Sequence, residues 1–362
     1  MQIYAFVSDA FGGHGGIAVF SRDILTAFTL HPKVDRVIAL PRVVSRELGP
    51  LPDKLVYRAQ AANSAFAYGA ALLKDLPGIA RSDLLYCGHL NLAPLVKAFG
   101  RVFNIPVLGA LYGIEAWTPS TNSRRSSAAA TLDHYYSISA YTRDRFLDWS
   151  GVTKDRISML PNAIHLDQYA PAEGSAELAA RYSVTNCRVL LTFGRLVSRE
   201  RAKGFDEVLD VLPALLLIHP DIKYIIAGDG PDRHRLEERV AVAGLQDHVV
   251  FTGFVDEAEK SALYGLADLY VMPSRGEGFG FVFLEAMACG VPVVASTVDG
   301  SRDAVRDGLL GAMVDPDDPG ALESAIIAGL DAPKTVPEGL AYFSFPKFVQ
   351  RVHDIVDRVV KQ

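Results

Sequence analysis

Cysteine is scarce in this sequence. The 362 residues hold three, Cys87, Cys187 and Cys289, far apart and with no C-x-x-C pair. That spacing excludes a disulfide framework or thiolate zinc site and fits a reducing cytoplasm. Cationic excess is also missing. Against 42 acidic residues stand 36 Lys and Arg, a formal net charge of -6, whereas a protein whose main partner is nucleic acid needs a broad basic surface. No apolar run approaches the roughly 18 residues that span a bilayer, and the longest, VLPALLLIHP, contains two prolines. The first residues, MQIYAFVSDAF, show neither a charged leader nor a cleavage site. The expectation is therefore a cytoplasmic protein, soluble or peripheral on the inner membrane face. The H-E-x-x-H, G-x-x-x-x-G-K-[ST] and G-x-S-x-G motifs are absent, and the G-x-G-x-x-G dinucleotide fingerprint is not met, which argues against a dehydrogenase.

What is present is a hydrophobic fraction of 49% against 22% charged, enough for large cores, in a chain long enough for two domains. Short β-branched runs alternate with amphipathic stretches: IYAFVS, RVIAL, LLYCG and VLGALY first, then RVLLTFGR, IKYIIAGDG, HVVFTGFV, LYVMPSR and VPVVAS. This alternation predicts an α/β protein with parallel sheets and helical crossovers. The pattern restarts after PNAIHLDQYAP, which places an N-terminal domain at 1–165 and a second at 166–343. The tail at 344–362 carries Phe348, Val352, Ile355, Val356 and Val359 at helical spacing, a face that must cover something.

Ligands of such sheets bind beyond the carboxyl ends of the strands, so the residues after each run carry the chemistry. After the first run, Gly12, Gly13, Gly15 and Gly16 lie between a strand and a helix; they form either a phosphate-binding turn or simply a tight one. In LLTFGRLVSRERAKGF, Gly194 and Arg195 follow a strand and Lys203 precedes a helix, where a guanidinium fork and an ammonium can neutralise a diphosphate without a metal. Arg199 and Arg201 are neighbours, and a solvated charged loop is the alternative. In EGFGFVFLEAMACGVPVVAS, Glu277 falls in a loop and Glu285 within the first turns of a helix that Gly290 ends. The amides from Gly278 through Phe279 and Gly280 to Phe281 are then set to bind phosphate. A carboxylate accepts two hydroxyl hydrogen bonds at once, which suits a sugar diol, and an idle charge among Phe283, Leu284, Ala286 and Met287 is costly. The Asp315-Pro316-Asp317 pair reads as a metal-nucleotide site or, before Asp318 and Pro319, as helix-capping chemistry.

Taken in order, GGHGGIAVFSRDIL, YGIEAW, SISAYTRDRF, LPNAIHLDQYAP, TFGRL with KGF, AGDGPDRHRLE, VVFTGFV and the glutamate segment resemble the retaining nucleotide-sugar glycosyltransferases of family 4, with their E-x7-E signature. The resemblance implies the GT-B fold: two Rossmann-like, doubly wound parallel-sheet domains facing a deep cleft, with the C-terminal helix crossing back to the N-terminal domain. It implies a metal-independent, cofactor-free transfer of a hexose-type sugar from a nucleoside diphosphate sugar to a hydroxyl of a glycan or lipid-linked glycan. Arg195 and Lys203 would hold the diphosphate, Glu285 the ribose and Glu277 the sugar hydroxyls. Gly15, Gly16, Gly194, Phe254 and the amides of 278–281 would line the donor, and Glu115 the acceptor. Acceptor contacts are expected around 42–92 and 118–131, with Arg42, Arg46, Arg124 and Arg125 as candidate headgroup contacts.

One departure stands out. Where the related pattern H-G-I-E-x-W has a histidine facing the donor sugar, this chain has Tyr112, which keeps a hydroxyl but no positive charge. Two alternatives share the architecture: a sugar-nucleotide 2-epimerase, and a non-catalytic subunit binding a nucleotide sugar or glycan.

Overall fold

The computed structural model describes residues 1–171, 174–197 and 203–361; Arg199 and Arg201 lie outside them. The chain divides into two compact units, one of Met1–Ala163 together with the segment from Phe345 onward, the other Ile164–Ser344.

The first unit is built on seven parallel strands, β1 (Gln2–Val7), β2 (Arg36–Pro41), β3 (Leu55–Tyr57), β4 (Leu84–Cys87), β5 (Val107–Leu111), β6 (His134–Ser137) and β7 (Ile157–Met159). Their spatial order is β3-β2-β1-β4-β5-β6-β7. The chain winds outward from β1, then returns to its other side at β4, so the order reverses between those two strands. Strands such as β4 and β5 are buried at every residue, as expected where helices cover both faces. The tail forms a helix, Phe345–Val360, whose buried residues are Phe348, Val352, Ile355, Val356 and Val359. It packs on the helix Gly16–Leu30. At that contact the rings of His31 and His353 meet at 4.6 Å, and Lys33 pairs with Asp357 at 2.8 Å.

The second unit holds β8 (Arg188–Phe193), β9 (Ile222–Ala227), β10 (Val249–Gly253), β11 (Leu269–Val271), β12 (Val293–Ser296) and β13 (Ala312–Val314), again all parallel. The order β10-β9-β8-β11-β12-β13 reverses between β8 and β11. Close backbone approach demands glycine here. A Cβ on Gly228, at φ +135°, would lie 2.0 Å from the Gly194 carbonyl oxygen, so the ends of β8 and β9 can meet only if that position has no side chain. The aspartates before the helix Pro319–Leu330 resolve as capping and pairing groups. Asp318 accepts from the Ala321 amide at 2.9 Å, and Asp317 pairs with Arg275 at 2.6 Å. Among the described residues no group of three His, Cys, Asp or Glu is arranged to hold a metal ion, and no helix is long and apolar enough to cross a membrane.

Candidate functional site

Because the six strands of the second unit run parallel, every segment that follows one emerges on the same edge, and the switch point between β8 and β11 opens a crevice there. The residues singled out in the sequence converge on it. Gly194 and Arg195 leave β8 directly, and a Cβ on Gly194 would lie 3.1 Å from the Phe205 ring and 3.6 Å from the Lys203 stem. Lys203 reaches across to the loop after β11, its Nζ 2.5 Å from Glu277 Oε2. Two further contacts lock these loops together. Gly204, at φ +82°, lies so close to Pro273 that a Cβ would stand 2.6 Å from its carbonyl oxygen. Arg275 donates to Glu207 in the helix Phe205–Ile218.

The loop after β11 ends at Gly280, which caps the helix Phe281–Ala288 at φ +94° with no side-chain hydrogen bond. The amide of Gly278 donates to Glu277 Oε1 at 3.2 Å. Phe279 is buried with its ring edge-on to Phe343 at 5.6 Å. Glu285 lies in the second turn, 6% exposed. Its carboxylate accepts from the Tyr264 hydroxyl at 2.8 Å and from Lys260 Nζ at 3.3 Å. Burial opposes the charge of Lys260, but Glu285 and Glu257 together hold its ammonium above the ordinary lysine range. The Tyr169 hydroxyl donates to Glu257 at 3.2 Å; burial, then the charges of Glu285 and Glu257, raise its pKa. Phe254, just beyond β10, is 66% exposed on the same edge of the sheet.

Several of these groups were invisible in the sequence. Asp299, in the turn after β12, has no exposed surface, and burial pushes its carboxyl upward while hydrogen bonds from Ser274, Ser301 and the Glu277 amide oppose that. Lys260, Tyr264 and Tyr169 lie 21 or more positions from Glu285, and no local period links them to it. For Asp299 the one available signal was its place just past a strand end.

The first unit treats its candidates differently. Gly15, at φ +85°, caps the helix that begins at Gly16, and that N-terminus follows β1 beside the unit's own switch point. Glu115 turns back on its own loop, Oε1 accepting from the amides of Tyr112 at 2.7 Å and Gly113 at 3.2 Å. Tyr112 sets its hydroxyl among other phenols. It is 6% exposed, and its hydroxyl closes a ring with Tyr86 at 2.9 Å and Tyr136 at 3.1 Å, those two being 2.6 Å apart. Phe20 packs on both Tyr112 and Tyr136. Burial pushes the Tyr112 hydroxyl up to about 12. Its oxygen meets the hydroxyls of residues within β4 and β6.

Residues 187–332, most of the second unit, match the family described as "Glycosyl transferases group 1". With HepE of Anabaena, solved in complex with UDP, the chain shares 20% identity over 99% of its length and 100% of that chain, at a TM-score of 0.77; both units together have the GT-B fold. Among curated proteins, the GDP-mannose-dependent alpha-(1-6)-phosphatidylinositol monomannoside mannosyltransferase of Mycolicibacterium smegmatis is 36% identical over 52% of this chain and 50% of its own. The glycogen synthase of Mycobacterium tuberculosis is 28% identical over 90% of this chain and 80% of its own. The chain spans about half the length of the curated relatives it matches at the highest identity.

Proposed function

We propose that this protein is a retaining glycosyltransferase that moves a hexose-type sugar from a nucleoside diphosphate sugar to a hydroxyl of a glycan or lipid-linked glycan, without a metal ion. One observation carries the reading: the Lys203–Glu277 pair stands at the switch point of a group 1 domain, with Glu285 fixed in the helix that follows. The names of the relatives, which include a GDP-mannose-dependent enzyme and a UDP complex, support the donor class.

Lys203 and Arg195 supply positive charge for a diphosphate from the one segment between β8 and the helix Phe205–Ile218, which is what metal-free neutralisation needs. Glu285, oriented by Tyr264, offers oxygens to a ribose diol. Glu277 offers its carboxylate to sugar hydroxyls. The bond from the anomeric carbon to the phosphate oxygen breaks as the acceptor oxygen bonds to that carbon on the same face. The acceptor proton passes to the departing phosphate oxygen, so no protein base is assigned. Preorganised charge on the leaving group contributes most to such a step.

Calorimetry without added metal, using UDP, GDP, ADP, dTDP and their common sugar conjugates on the wild type and on Glu285→Ala, tests the donor class. One diphosphate should bind and be weakened by the substitution. NMR of the product from an α-configured donor should show an α-linkage; a β-linkage would remove the retaining assignment.

A further inference from the structure

The backbone of Glu277 is gripped from both sides by a turn on the neighbouring strand. Its amide donates to Asp299 Oδ2 at 2.8 Å, and its carbonyl accepts from the Gly300 amide at 2.9 Å. Asp299 Oδ2 also accepts from the Ser274 hydroxyl at 2.7 Å, while Oδ1 accepts from the Ser301 amide at 3.0 Å and the Ser301 hydroxyl at 2.6 Å. Four donors thus fill a carboxylate that has no exposed surface. The approach is close enough that a Cβ on Gly300 would lie 2.2 Å from the Gly278 carbonyl oxygen and 2.8 Å from that of Glu277. Gly300 sits at φ -68°, so its lack of a side chain answers to this contact and not to backbone conformation.

We infer that Asp299 is a positioning residue for the donor sugar: with Gly300 it fixes the Glu277 backbone and thereby sets where the Glu277 carboxylate points. The inference rests on the reading of Glu277 as a ligand for sugar hydroxyls. A buried carboxylate is a costly way to hold a fold, since apolar packing of the same volume serves as well. What it adds is direction, because both oxygens only accept and all four partners donate. An asparagine of the same shape sets an amide NH2 against one pair of donors.

The test measures the affinity gap between a nucleoside diphosphate and its sugar conjugate, with GDP and GDP-mannose, and UDP and UDP-glucose, as calorimetric probes. Glu277→Ala should narrow the gap shown by the pair that the wild type binds. Asp299→Asn should narrow it by about tenfold, the scale of a lost hydrogen bond to a charged group or a small misplacement. Affinity for the diphosphate alone should change far less. Gly300→Ala, which alters no charge and no donor, should act the same way, and it carries the test if Asp299→Asn fails to fold. A merely structural role lowers the melting temperature and weakens both ligands alike; that result, or an unchanged gap in both variants, overturns the inference. A gap left intact by Glu277→Ala, or a wild type that binds neither pair, overturns the underlying reading and the inference with it.

Discussion

Tyr112→Phe separates a structural hydroxyl from a reactive one. The substitution keeps the ring, its edge-on contact with Phe20 at 5.3 Å and nearly all its volume, and removes one oxygen. Of the three hydrogen bonds in the tyrosine ring, those at 2.9 and 3.1 Å are lost and the Tyr86–Tyr136 bond at 2.6 Å survives. At about 0.5–1.5 kcal/mol each the two bonds sum to roughly 1–3 kcal/mol. For a unit of this size that lowers the melting temperature by roughly 2–4 °C per kcal/mol. Tyr86→Phe is the matched control, because it also loses two of the three bonds, and the two variants should melt alike. Since burial pushes the Tyr112 hydroxyl up to about 12, it stays protonated and uncharged at pH 7. Thermal unfolding and steady-state transfer kinetics should show a lower melting temperature with kcat within about threefold, a change under 1 kcal/mol in barrier. A hundredfold loss of kcat with unchanged melting would refute the assignment and return Tyr112 to the reacting sugar.

Other outcomes follow from the same geometry. Glu277→Ala should abolish transfer while leaving diphosphate binding measurable by calorimetry, and loss of the folded state instead would show that the residue is structural. Lys203→Ala and Arg195→Ala should each lower kcat more than they raise the donor KM; full activity in both would end the diphosphate assignment. Transfer should survive EDTA unchanged, and rescue by Mg2+ after chelation would contradict metal independence. Buried His134 has its pKa lowered to about 4 by burial and by Arg358 and Arg156, against about 6.5 when unfolded. A depressed histidine binds its proton in the unfolded state first, so stability is complete above pH 6.5 and falls towards pH 4, by about 3 kcal/mol if the whole shift is realised. Urea titrations across that range, with His134→Gln as the flatter reference, check the slope.

The legible parts of this molecule were those written within one stretch of chain. Glu277 and Glu285 share a segment with their glycines, and the tail helix announces its buried face by spacing alone. Strands β3, β7 and β13 are three residues long, and β6 reads HYYS, too short or too polar for an alternation signal to emerge. The supports of the site were illegible for a related reason. Asp299 meets Glu277, and Lys260 meets Glu285, only because parallel strands bring separate segments to one edge, and such pairings leave no local period to read. Tyr112 shows the same limit in another form. Its position in the pattern was right, but the direction of its hydroxyl depended on two tyrosines from other strands.

The contact between Lys203 and Glu277 gives each charge a counter-ion within the protein itself. On the proposed reading, an arriving donor does not add charge to an open surface. It swaps partners: its phosphates take the ammonium while its sugar hydroxyls take the carboxylate, and each departing partner is replaced. The spent diphosphate offers the first exchange and not the second, leaving Glu277 in a partly buried place without a cation. Re-formation of the ion pair then works against the product and in favour of the next donor, a bias towards turnover built from two side chains that never leave the protein.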